Sequence, residues 1–121
     1  MNIQINWLND ELAVTGQISP EDVTKLKEFG FKSIICNRPD FEDGNSQPSQ
    51  ETISNIASKL EIKYSFLPVE SNFQTENEAI QMSELINKMP KPILAYCRSG
   101  GRCMSLIGLS YQLGLVDLKK N

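Results

Sequence analysis

The segment Ile93-Leu94-Ala95-Tyr96-Cys97-Arg98-Ser99-Gly100-Gly101-Arg102 constrains this chain more than any other. A short apolar run, suited to a buried strand, ends on a cysteine, turns through two glycines and enters a helix near Arg102. Glycines permit backbone conformations that other residues resist, so several N–H groups of such a turn can face one point. The helix N-terminus adds partial positive charge there. A thiol so placed ionises more readily than free cysteine, and Arg98 or Arg102 would reinforce the effect. Cys97 and Arg102 are therefore the candidate reactive pair. Arg98, Ser99, Gly100 and Gly101 would complete a cradle able to hold an oxyanion or a persulfide above the sulfur.

The rest of the chain supplies a frame for that turn. Ile3-Gln4-Ile5-Asn6-Trp7-Leu8 and Glu11-Leu12-Ala13-Val14-Thr15 read as a hairpin turning at Asn9-Asp10. Ser19-Pro20-Glu21-Asp22 announces a helix with Val23, Leu26 and Phe29 on its apolar stripe, stopped at Gly30. Phe31 to Cys36 reads as a buried strand, and Pro48-Ser49 opens a helix carrying Ile53, Ile56, Ala57 and Leu60. Glu61 to Leu67 alternates as a strand. Thr75-Glu76-Asn77-Glu78 is a capping box before a third helix with Ala79, Met82, Leu85, Ile86 and Met89. The last helix carries Met104, Leu106, Ile107, Leu109, Tyr111 and Leu113. After the hairpin, strand and helix thus alternate three times, which argues for a partly parallel sheet with helices on its faces. Ligands collect at the carboxyl ends of such strands, where both Cys36-Asn37-Arg38 and Cys97-Arg98-Ser99 fall.

With 121 residues the chain suits a single domain, 1–121. Its 12 basic and 15 acidic residues leave a net charge of −3, without the dense basic surface that nucleic acid demands. No apolar run approaches the ~20 residues that span a bilayer, and the first residues lack a signal peptide's pattern, so no membrane partner and a cytoplasmic location are expected. Three cysteines and no histidine exclude a disulfide framework and any Cys-His or Ser-His-Asp apparatus. A nucleophile here must be activated by dipoles and positive charge. No metal or cofactor is called for. Cys36 and Cys103 are candidate resolving thiols for an oxidised Cys97, or else packed core thiols.

The chain resembles the beta-lactamase-hydrolase-like phosphatase domain family, a relative of the cysteine-dependent phosphatases. The likeness rests on Ile35-Cys36-Asn37-Arg38-Pro39-Asp40, Gln47-Pro48-Ser49, Leu67-Pro68-Val69 and Leu94 to Arg102, and runs from about residue 3 to residue 114. It implies a cysteine-phosphatase-like three-layer α/β/α fold with a central, mostly parallel sheet of four to five strands. It also implies Cys97 as nucleophile and Arg102 as the anion-binding arginine, with Arg38 and Asp40 bordering the pocket.

Two chemistries compete for that loop. Phosphatases with a cysteine nucleophile have five residues before the arginine, whereas Arg102 follows Cys97 after four. The shorter C-x4-R loop resembles that of rhodanese-like sulfurtransferases, which carry a single sulfur as a persulfide. A phosphatase also needs a general acid; Val69-Glu70-Ser71-Asn72 holds no aspartate, leaving Glu70 and Asp40 as candidates. Relatives fused to persulfide- and sulfide-oxidising enzymes fit sulfur handling and make such an enzyme a candidate partner. The expected activity is therefore sulfur transfer from a small anionic donor, drawn in by Arg98 and Arg38, to a thiol acceptor. The alternatives are hydrolysis of a phosphate ester on the same loop and a non-catalytic anion- or partner-binding module. For Arg38 the structural alternative is a salt bridge with Asp40.

Overall fold

Side-chain alternation along the central strands builds the architecture. In β5 (Ile93–Tyr96), Ile93 and Ala95 enter one apolar core while Leu94 and Tyr96 enter another. β2 (Leu12–Thr15) and β3 (Ser33–Cys36) divide in the same way: Leu12, Val14 and Ile35 face the first core, Ala13, Ile34 and Cys36 the second. Strands buried on both faces read as continuous apolar runs, and they need a helical layer on each side.

The computed structural model describes residues 4–70 and 74–118. β1 (Asn6–Asn9) and β4 (Lys63–Phe66) complete a five-stranded sheet in the order β1-β2-β5-β3-β4. Only β1 is antiparallel; β2, β5, β3 and β4 run parallel to their neighbours. α1 (Pro20–Glu28) and α2 (Gln50–Lys59) cover one face through Val23, Leu26, Ile53 and Ala57. α3 (Glu76–Lys88) and α4 (Gly101–Gln112) cover the other through Ala79, Met82, Ile86, Leu106 and Ile107. This is the three-layer fold the resemblance implies. The opening Ile3 of the hairpin, and Ser71 and Asn72, lie outside the described residues. No helix among the described residues is long and apolar enough to cross a membrane.

Helix starts follow the sequence signals. Ser19 and Asp22 form a reciprocal capping box on α1, as do Thr75 and Glu78 on α3, and the Ser49 hydroxyl accepts from Thr52 N. α4 differs. Its N-cap is Gly100, at φ 95°, with no capping side chain, so its first-turn N–H groups need another acceptor. Apolar residues at the helix ends depart from expectation. Phe29 sits at the C-cap of α1 and is exposed, and Met104 and Tyr111 lie on the outer face of α4.

Because four strands run parallel, the segments following β2, β3, β4 and β5 emerge at one rim. Gly16 there packs directly under the turn after β5: a Cβ at residue 16 would stand 2.9 Å from the carbonyl oxygen of Arg98. The same carbonyl accepts from Gln17 N at 3.2 Å. Backbone cannot swing aside as a side chain can. Gly16→Ala should therefore destabilise the fold by about 1–3 kcal/mol, read as a lower midpoint in urea denaturation with an unchanged slope.

Candidate active site

Cys97 continues the alternation of β5, so its side chain points to the α3/α4 side and is fully buried. The turn that follows wraps round it. Gly100 N donates to Cys97 Sγ at 3.1 Å, and the main-chain N–H groups of Ser99 and Cys103 also act on that sulfur. The donors therefore solvate the sulfur itself; the expected cradle above it is filled from below. The thiol of Cys103 contributes most to holding the Cys97 pKa down, to about 5, against the upward push of burial; the N–H groups of Cys103, Gly100 and Ser99 add to it. The uncapped start of α4 thus finds its acceptor in Cys97.

Arg102, one residue into α4, turns to a carboxylate that sequence reasoning missed. Its Nη1 and Nη2 donate to Glu42 Oε2 and Oε1, each at 2.8 Å, and Nη1 also donates to Val69 O at 3.1 Å. Arg38 shares Glu42: its Nε donates to Oε1 at 3.0 Å. Arg38 is spent on this work, since Nη1 donates to Gln17 Oε1 at 2.9 Å and Nη2 to Asp43 Oδ2 at 2.8 Å. The structural alternative for Arg38, a salt bridge with Asp40, is corrected: its acidic partners are Glu42 and Asp43. Asp40 instead accepts from Gln50 N at 2.8 Å, where the first turn of α2 stabilises a carboxylate. The only sequence trace of Glu42 was its place four residues after Arg38. Hydrogen bonds from Arg102, then Arg38, hold its carboxyl below the usual range.

An open pocket lies over this cluster, lined by Glu42, Arg98, Ser99, Gly101, Arg102 and Ser105. Arg98 is largely exposed, with Asp43 at 3.8 Å. Gly100 is buried against Val14 and the backbone of Thr15. Glu70 is exposed, beside Val69, and among the described residues its side chain forms no ion pair. Cys36 lies on the other face of the sheet from Cys97, donates to Arg38 O at 3.4 Å, and is pushed up by burial. Cys103 is fully buried, on the same face as Cys97. Among the described residues no group of three or more His, Cys, Asp or Glu side chains could hold a metal ion.

A mostly parallel sheet covered on both faces, with a cysteine-arginine turn at its carboxyl rim, defines a phosphatase-like α/β protein. The chain belongs to the family described as "Beta-lactamase hydrolase-like protein, phosphatase-like domain", whose profile matches residues 4–114. It is 31% identical over 103 residues, 85% of its length, to the beta-lactamase hydrolase-like protein of Xylella fastidiosa strain Temecula1, and spans 24% of that protein. Among solved structures it is similar to a protein of Neisseria meningitidis Z2491 provisionally assigned as a phosphatase, with a TM-score of 0.79 and 31% identity, covering 86% of this chain and 73% of that one. The core catalytic domain of the PP-IP phosphatase SIW14 from S. cerevisiae shares the fold at a TM-score of 0.71 and 20% identity, covering 93% and 67%. The family makes this chain an enzyme of phosphatase-like type. The comparisons favour the phosphate-ester alternative over the expected sulfur transfer.

Two outcomes test this geometry. The rate of Cys97 alkylation by iodoacetamide should rise with pH through a midpoint of about 5; a midpoint in the ordinary thiol range would show that the N–H groups do not reach the sulfur. Glu42→Gln should cost about 1–3 kcal/mol in thermal or chemical unfolding, because it withdraws the charged acceptor shared by Arg102 and Arg38.

Proposed function

We propose that the chain is a cysteine-dependent phosphatase acting on phosphate esters. The observation that carries this is the donor inventory of Arg102. A guanidinium has five N–H donors. Glu42 engages it end-on through Nη1 and Nη2, and Val69 takes a further N–H of Nη1. What remains is the side edge formed by Nε and the outer N–H of Nη2, a planar fork matched to two oxygens of a phosphoryl group. Glu42 holds that fork in place. A single sulfane sulfur would leave half of it unused.

In this reading the Cys97 thiolate attacks phosphorus, forming a P–S bond as the ester P–O bond breaks. The turn's N–H groups pass from the sulfur to the phosphoryl oxygens as negative charge moves onto them, with Gly100 and Gly101 giving the backbone the freedom to do so. Glu70 donates the proton to the leaving oxygen. Asp40 is occupied at the start of α2 and Glu42 is held ionised by two arginines, which leaves Glu70 as the remaining candidate acid. Water then cleaves the P–S bond and returns the thiolate.

Persulfide transfer remains the second reading, favoured by the C-x4-R spacing. The two are separated by assaying p-nitrophenyl phosphate for phosphate release, and thiosulfate with cyanide for thiocyanate. Phosphate release abolished in Cys97→Ser and lowered about 10²–10³-fold in Arg102→Lys is expected, with kcat/KM falling as pH drops through about 5 and Cys97 takes up its proton. Glu70→Gln should slow an alkyl phosphate far more than the nitrophenyl ester, whose leaving group needs no proton. Thiocyanate without phosphate would reverse the assignment. Neither product would point to a binding module.

A further inference from the structure

The sheet ends on two edge strands, and the chain treats them differently. β1 is interrupted by an irregularity between Trp7 and Asn9, a device that spoils an edge for further pairing. β4 is regular: Lys63 to Phe66 run in unbroken register with Ser33 to Cys36. Lys63 N donates to Lys32 O at 3.0 Å and Leu67 N to Cys36 O at 2.8 Å, so residues 63, 65 and 67 turn their main chain to β3. Tyr64 and Phe66 therefore turn theirs outward, and among the described residues nothing pairs with those N–H and C=O groups. Phe66 is 39% exposed at this edge. A groove runs along each side of the strand, beside Ser54 and Ser58 of α2 and beside Gln81, Glu84 and Lys88 of α3.

These open groups fit a second copy of the same strand. In an antiparallel ladder, the two residues of a hydrogen-bonded pair exchange both N–H···O bonds. Tyr64 and Phe66 are two residues apart, so a twofold axis at Ser65 sets Tyr64 against the partner's Phe66, and Phe66 against the partner's Tyr64. Every outward group of both strands is then satisfied. The same register makes two aromatic cross-strand pairs on one face of the sheet, since Tyr64 packs on the α1/α2 core and Phe66 alternates back to that face. The charges agree. Asn37 Nδ2 donates to Leu67 O at 2.9 Å and to Met82 Sδ at 3.8 Å, which sets Leu67 level with Met82 on α3. Ser65 lies two strand residues back, about 7 Å, which is about four to five helix residues past Met82. The axis thus falls between Glu84 and Lys88, both exposed, and sets the acid of each copy toward the base of the other.

We propose that the chain forms a symmetric homodimer by antiparallel pairing of β4 with β4 of a second copy, centred on Ser65. The two sheets join into one continuous sheet. Ile62, whose N–H is given to Ala57 O at 2.8 Å, and Pro68, which has no N–H, close the pairing at its ends. The contact is isologous and closes on itself. The edges left over are the two irregular β1 strands, so growth stops at the dimer. Because the axis reverses the strands, the two Cys97 turns open at opposite rims of the joined sheet.

The test does not depend on phosphate turnover. Sedimentation equilibrium of the full chain should show a concentration-dependent monomer–dimer equilibrium. Phe66→Pro withdraws one outward N–H without touching a bond to β3, and should abolish the dimer while the circular dichroism spectrum is kept. Glu84→Lys should weaken the dimer about tenfold by setting like charges across the axis, and adding Lys88→Glu to it should restore the affinity. The register itself is tested covalently. Residue 65 meets its own copy as a non-hydrogen-bonded pair, with Cα atoms about 4.5 Å apart, within reach of a disulfide. In a Cys97→Ser background, Ser65→Cys should oxidise to a reducible dimer far faster than Lys27→Cys on the exposed face of α1. A monomer at every concentration overturns the proposal and leaves the edge to a strand of another protein. A dimer that survives Phe66→Pro, or one in which position 65 crosslinks no faster than position 27, puts the interface elsewhere and overturns it as well.

Discussion

A buried sulfur anion is the constraint on which the site depends. Removing a charge from water costs several kcal/mol unless hydrogen bonds replace the lost hydration. Cys97 lies in the apolar layer beneath α3 and α4, so apolar neighbours alone would keep it neutral. The compensation comes from α4 itself. α1, α2 and α3 each begin on a serine or threonine that takes up first-turn N–H groups, but α4 begins on glycine and leaves them open. The Cys97 sulfur is the capping acceptor of α4. The needs of the helix start and of the anion are met by the same contacts.

Glu42 performs the matching service for positive charge. Arg102 and Arg38 are both nearly buried, and two guanidiniums side by side would repel each other in a weakly polarisable surrounding. One carboxylate between them converts that repulsion into a three-centre ion pair, with Asp43 and Gln17 completing Arg38. Arg38 becomes a support, while Arg102 lines the pocket. The segments after β2, β3, β4 and β5 each contribute one part: Gln17, Glu42, Val69 and Arg102. No single segment of chain contains the site.

That distribution explains what could be read from the sequence. Local signals carried through because their physics is local. The capping boxes at Ser19 and Thr75 close within three residues, the apolar runs of β2, β3 and β5 need only alternate, and the Gly-Gly turn declares its own geometry. Cys97 and Arg102 were legible because six adjacent residues define their relation. Glu42 was not, because its role depends on a contact with a residue 60 positions away, and a carboxylate in a polar loop looks like any solvated acid. Arg38 failed similarly: Asp40 was the near acid in sequence, but the turn sends it to the start of α2 and brings Glu42 and Asp43 round instead. The place of Cys36 could have been settled earlier, since counting in twos along β3 and β5 sends residues 36 and 97 to opposite faces.

The short turn also bears on what the site must do to work. With four residues between cysteine and arginine, the N–H groups of Ser99, Gly100 and Cys103 close on the sulfur. In the proposed phosphatase reading, binding a phosphoryl group would exchange one set of hydrogen bonds for another. In that reading the thiolate would spend its charge in the P–S bond and lose its hold on the amides, and the phosphoryl oxygens would gain it. Those donors stabilise the thiolate of the free enzyme at the expense of its nucleophilicity, so their energy is recovered only where charge moves outward. Arg102 is exempt from this exchange, because its position is fixed by Glu42 and Val69 rather than by the sulfur. In the proposed reading, an arginine fixed by its own partners beside amides that can change acceptor would let one small loop serve both the resting anion and the transferred group.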